Sequence, residues 1–145
     1  MDERLIDDLL VRWGGDTCKS IHNLLQIKEK FKERKFFLPD DFVVFYQHMN
    51  GSNDQDNTGF LFYSVDSLLT LGDKFDLVED NPLSNIVIFA DYMLGSWWYG
   101  VNVKDKNRYE IGIISDQNSF TVLTTSLEDF LRMYLRDDDL IYQYT

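Results

Sequence analysis

Leu38-Pro39-Asp40-Asp41-Phe42-Val43-Val44-Phe45-Tyr46-Gln47-His48-Met49-Asn50-Gly51 is the stretch from which the rest of the chain can be read. Pro39 fits the first turn of a helix, where its missing N–H has no intrahelical partner to lose. Asp40 and Asp41 then put negative charge at the positive end of the helix dipole. Phe42, Phe45, Tyr46 and Met49 recur at helical spacing and share one face. Asn50-Gly51 reads as a stop, because both residues tolerate the left-handed backbone of a helix C-cap.

Upstream, Leu5, Ile6, Leu9, Leu10 and Trp13 repeat with the same period, and Gly14-Gly15 ends that helix. A second helix is expected from a cap at Asp16 or Thr17, with Ile21, Leu24, Leu25, Ile27 and Phe31 on its apolar side. Its tail, residues 28–35, is the one basic stretch of the chain, and cations at a helix C-terminus suit the dipole. Downstream the period changes. Residues 52–59 read as a polar acidic loop and 60–63 as a short strand. Asp66 can cap a turn of helix through Leu68, Leu69 and Leu71. Residues 72–84 are acidic and irregular. Four strand candidates follow, at 86–89, 97–103, 109–114 and 120–123, separated by short turn signals that favour an antiparallel meander. Ser126 or Thr125 caps a last helix with Glu128 and Asp129 in its first turn. Helices, then strands, then one closing helix make an α+β plan, with residues 1–145 read as one domain.

These residues also resemble a known superfamily. Leu38-Pro39-Asp40-Asp41-Phe42 running into Asn50-Gly51 is similar to the signature of the SUKH superfamily, named in part for fungal cell-wall glucan-synthesis regulators of the Smi/Knr type. Phe89-Ala90-Asp91 with Gly95, and the Ser126 to Leu131 helix start, resemble later features of that family in the same order. The resemblance spans roughly residues 20 to 136. It implies a curved, mainly antiparallel sheet of about five strands, with N-terminal helices and one C-terminal helix packed around it. It also implies a binding role. Bacterial members are commonly immunity proteins that neutralise toxins, and fungal members are regulators and scaffolds of cell-wall signalling. The loop after Gly51 is usually richer in glycine than Ser52-Asn53-Asp54-Gln55-Asp56-Asn57-Thr58, so its geometry is open.

Composition narrows the function further. Fourteen basic against 25 acidic residues give a formal charge of −11. Such a surface repels phosphate backbones and anionic membranes and attracts a basic partner. Cys18 is the single cysteine, which excludes an intrachain disulfide and suits a reducing compartment. The charged start Met1-Asp2-Glu3-Arg4 lacks the apolar core of a signal peptide. No apolar run approaches the ~20 residues of a membrane helix. A cytoplasmic location is the expectation.

Motifs for chemistry are incomplete. Asp54, Asp56, Thr58 and Gly59 match positions one, three, five and six of a calcium loop, but position twelve is Val65 and Asp66 falls one residue late. His22 and His48 show no metal-ligand spacing with Cys18, and Cys18 near a helix start reads as a small buried residue. Neither a phosphate-binding glycine loop nor a Gly-x-Ser-x-Gly elbow occurs. No catalytic residue, metal or cofactor is expected.

Trp97-Trp98-Tyr99 is the most unusual run. Alternation puts Trp97 and Tyr99 on one sheet face and Trp98 on the other. Either one of these faces is an exposed aromatic anchor, or both are covered.

The expected function is therefore a non-catalytic domain that binds a protein, in the first place a basic toxin domain such as a nuclease. A regulatory scaffold of the cell-wall type is the alternative, and a small enzyme using Cys18 or His48 is a third reading. The candidate contact residues are Asp54, Asp56, Asp73, Asp76, Glu79, Asp80, Asp91, Trp97 and Tyr99, with Tyr92 at the rim.

Overall fold

The computed structural model describes residues 1–14, 19–20, 22–52, 56, 58–105 and 108–142. Helix α1 (Glu3–Arg12) starts at Asp2, whose carboxylate accepts the Arg4 N–H at 2.9 Å, and it turns Leu5, Ile6 and Leu9 inward. Helix α2 (Leu24–Glu33) begins later than the sequence suggests. Asp16, Thr17 and Ile21 lie outside the described residues, and the cap is Asn23. The Asn23 side chain accepts the Gln26 N–H at 2.9 Å, while the Gln26 side chain accepts the Asn23 N–H at 2.8 Å. Two otherwise unpaired donors are satisfied reciprocally, which fixes the helix start. Just ahead of it the chain is extended, with Lys19 bridging Met49 and the Ser20 N–H donating to the His48 carbonyl at 3.2 Å.

Helix α3 (Asp40–His48) forms as expected, with Pro39 as its cap residue and both aspartates in the first turn. Asp41 has a second task. It accepts the Tyr109 hydroxyl at 2.5 Å, and that hydroxyl in turn accepts the Leu127 N–H at 2.8 Å. The pair Asn50-Gly51 does more than end the helix, which is already closed by Met49 in an extended conformation. Strand β1 (Phe60–Phe62) runs alongside. Asn50 Oδ1 accepts the Val65 N–H at 2.9 Å, and Ser52 both donates to the Phe62 carbonyl and accepts the Phe62 N–H. The two residues clasp the end of α3 to the sheet.

The remaining strands are β2 (Leu69–Thr70), β3 (Val87–Tyr92), β4 (Trp97–Asp105), β5 (Arg108–Ile114) and β6 (Thr121–Thr124). They form one antiparallel sheet in the order β1-β3-β4-β5-β6, with β2 also on β3. The sixth strand arises where a helical turn is expected. A 3-10 turn, Val65–Ser67, replaces it, and Leu69 and Thr70 pair with Ile88 and Val87 before helix α4 (Leu71–Phe75) starts. Register shifts at Ile88/Ala90, Val103/Asp105 and Ile111/Gly112 mark irregularities that bend and twist the sheet, giving the curved α+β architecture.

One sheet face carries the main core, against α1, α2, α3 and helix α5 (Leu127–Leu135). It is largely aromatic. Phe60 stacks on Tyr99 at 4.7 Å, Phe62 meets Tyr134 at 4.9 Å, and Phe89 meets Phe130 edge-on at 5.5 Å. Edge-to-face and offset pairs add specificity to the area they bury. The opposite face holds a smaller cluster of Leu71, Ile86, Ile88 and Ile114, flanked by Phe75, Leu83, Trp98 and Phe120. Both faces are therefore covered where β3 and β4 meet. A 3-10 turn, Asp139–Tyr142, follows α5 and buries Ile141, while Asp137 and Asp139 stay exposed.

Candidate protein-binding surface

The hairpin that joins β3 to β4 brings the largest share of the candidate residues together. Tyr92 pairs with Trp97 across it. The intervening loop is unusual: Met93, Leu94 and Gly95 have φ of 50°, 57° and 83°, and the Ser96 N–H returns to the Tyr92 carbonyl at 2.9 Å. Left-handed backbone costs an L residue roughly 1–2 kcal/mol, and bulky side chains seldom occupy it. Here two of them do, and both are exposed, Met93 at 54% and Leu94 at 87%. Apolar side chains held out on strained backbone are a feature of functional sites rather than of turns in general.

The aromatic run behind the tip is not an exposed anchor. Tyr99 is fully buried on the core face, accepts the Trp97 indole N–H at 2.7 Å and donates to the Ile141 carbonyl. Burial pushes its hydroxyl well above the usual tyrosine range. Trp97 is half-buried, stacked on Tyr92 at 4.8 Å, and Tyr92 meets Tyr142 at 5.1 Å. Trp98 lies on the opposite face, edge-on to Phe75 at 5.5 Å, with the Lys74 ammonium 5.1 Å from its ring centre. A β-carbon on Gly95 would stand 3.5 Å from the same indole. The Trp98 ring thus bridges the hairpin tip to α4.

Behind that bridge lie the acidic residues of segment 73–80. Asp73, Asp76, Glu79 and Asp80 are all exposed. Asp73 sits in the first turn of α4, where its N–H bonds Thr70 Oγ1 at 3.0 Å, and Asp76 ends the helix in the left-handed region. Asp91, at the base of the hairpin on the Trp98 face, is 9% exposed. Its Oδ2 accepts the Tyr63 hydroxyl at 2.8 Å, while Oδ1 has no partner among the described residues. Burial raises the Asp91 carboxyl above its ordinary value, only partly countered by the Tyr63 hydrogen bond, the Lys74 charge and the Gly95 N–H.

Two expected contact residues stand apart. Asp54 lies outside the described residues. Asp56 is turned inward instead of lying in a solvated loop. Its carboxylate accepts the Tyr134 hydroxyl, the Thr58 N–H and hydroxyl at 2.8 and 2.7 Å, and the Phe60 N–H at 3.0 Å, with Arg12 Nε at 3.5 Å. Burial alone would raise this carboxyl, but the hydrogen bonds from Tyr134, Thr58 and Phe60 prevail and lower it. This is how an acid joins α1, β1 and α5. Among the described residues no group of acids, histidines and cysteines is placed to hold a metal.

His48 is exposed, the buried Nε2 of His22 has no partner among the described residues, and Cys18 lies outside them. At the opposite end of the sheet an open groove of about 660 Å³ runs between the α2–α3 connection and the ends of β3 and β4. It is lined by Phe37, Leu38, Asn85, Asn102 and Val103 among others, and Phe37 is 84% exposed. No helix among the described residues is long and apolar enough to cross a membrane.

Met93 and Leu94 were not among the expected contact residues. The available signal was an apolar pair at a hairpin turn, where Asn and Gly are the usual occupants. Leu94-Gly95-Ser96 reads as punctuation when only the glycine is weighed.

A family model described as the SMI1 / KNR4 family (SUKH-1) matches residues 23–133. Curated proteins give no significant match, nor do solved structures.

Proposed function

This chain belongs to the SMI1 / KNR4 family (SUKH-1), and we propose that it is a non-catalytic protein-binding domain of the immunity type, which acts in the cytoplasm by seating on a basic toxin domain and blocking it. The observations that carry this reading are the exposed acids Asp73, Asp76, Glu79 and Asp80, on a segment whose Phe75 rests on Trp98, and the hairpin tip of exposed Met93 and Leu94 beside that ring. Acids of one sign speed and orient the approach of a cationic protein, and apolar side chains slow its release. The overall charge of −11 extends the same field over the molecule.

A regulatory scaffold is the second reading. It is favoured by the groove at the far end of the sheet, which would give such a protein a second face of different chemistry. The two readings differ in what binding does to the partner. The experiment is titration of this chain with the purified product of the adjacent gene. The immunity reading expects a tight complex that abolishes the partner's toxic activity. A complex in which the partner keeps its activity supports the scaffold and contradicts the immunity role.

A further inference from the structure

We infer that the β3–β4 tip is the insertion element of the complex: Leu94, with Met93 beside it, enters an apolar socket on a partner protein whose rim carries lysine or arginine. The inference rests on the protein-binding reading above and assigns the residue that does the gripping.

Two observations meet at this one place. First, the side chains that protrude are the ones sitting on left-handed backbone. A turn with no other duty would carry glycine or asparagine there. Leu94 has almost no intramolecular burial to compensate, so its cost is met only when something covers it. Met93 is anchored differently. Its N–H donates to the Gly59 carbonyl at 2.9 Å, and its sulfur lies against Gly59, which steadies the tip on β1.

Second, Phe75 meets Trp98 edge-on, the Trp98 ring lies beside Gly95 of the tip, and exposed Asp73 and Asp76 flank the α4 residues on that ring. Lys74 already rests over Trp98. A basic rim meets acceptors on the α4 side of the tip, while an acidic or neutral rim would meet repulsion or unpaired carboxylates.

The test uses the full chain, the purified product of the adjacent gene, and two variants, Leu94→Gly and Leu94→Asn. Leu25→Asn, an exposed apolar residue on α2, is the control. Each is followed by calorimetric titration and by thermal unfolding. Both Leu94 variants are expected to weaken binding by about tenfold or more. Leu94→Gly is expected at the same time to raise Tm by about 3 °C or more, because glycine removes the left-handed penalty and loses little packing. The control leaves the affinity unchanged.

If Leu94→Gly binds as tightly as the unchanged chain, or lowers Tm, the insertion role is wrong and the protein-binding reading survives. If the unchanged chain does not bind that product, the protein-binding reading fails and the insertion role falls with it.

Discussion

At Gly51 two constraints coincide. The backbone is left-handed at φ 79°, and a β-carbon would stand 2.4 Å from the Phe62 carbonyl oxygen and 2.7 Å from the Tyr63 backbone. The neighbouring atoms belong to a hydrogen-bonded strand and cannot move aside. Gly51→Ala should therefore destabilise the protein by about 2 kcal/mol or more. It would be read as a lower urea midpoint at unchanged slope, and a loss under about 0.5 kcal/mol would contradict the close-approach account.

Residues of the signature were legible as a group, because a proline, two acids and a following aromatic face specify a helix start by local physics. Their second roles were not. Nothing in the spacing of Asp41 reveals that it receives a hydroxyl from Tyr109, 68 positions away. The signature consequently marks how the fold is joined, while the proposed contact surface lies elsewhere, at a turn where composition alone looks unremarkable.

Elements were legible wherever an apolar period and a cap agreed, as in α1, α3, α5 and strands β3 to β6. The reading failed where two caps competed or an element was too short to show a period. The capping box at Asn23 set the start of α2 ahead of any earlier candidate, and β2 is two residues long. Asp56 is the instructive case among the acids. By composition it belongs to a solvated loop, yet its side chain is 5% exposed and ties α1 to β1 and α5. Removing it strands the Tyr134 hydroxyl and two N–H groups and takes one of its two carboxylate partners from Arg12, so Asp56→Ala should cost about 2–4 kcal/mol.

The pH dependence has a definite sign. The Asp56 carboxyl is lowered in the folded protein, so its contribution is complete above the ordinary carboxylate value of about 3.9 and is lost as pH falls through the lower folded value. Asp56→Asn removes that part of the acid limb, and chemical denaturation across acidic pH would detect it. An unchanged acid limb would show that another carboxylate controls it.

Over the whole molecule, shape divides the surface. The apolar tip lies at the hairpin end of the sheet, and the groove beside Phe37 opens at the other. Net charge could be counted from the sequence, but its placement could not, because several acids are absorbed by helix starts and by the Asp56 network. The acids that stay exposed in segment 73–80 are the ones proposed to meet a partner, and their placement needed the packing of α4 on the sheet.

The most direct measurement of the central claim is survival of cells that express the adjacent gene's product with and without this chain. The account predicts that the product alone is lethal, that the chain restores growth, and that a chain with Asp73, Asp76, Glu79 and Asp80 changed to the corresponding amides protects less well. A product that is harmless alone, or one whose lethality the chain leaves untouched, would contradict it.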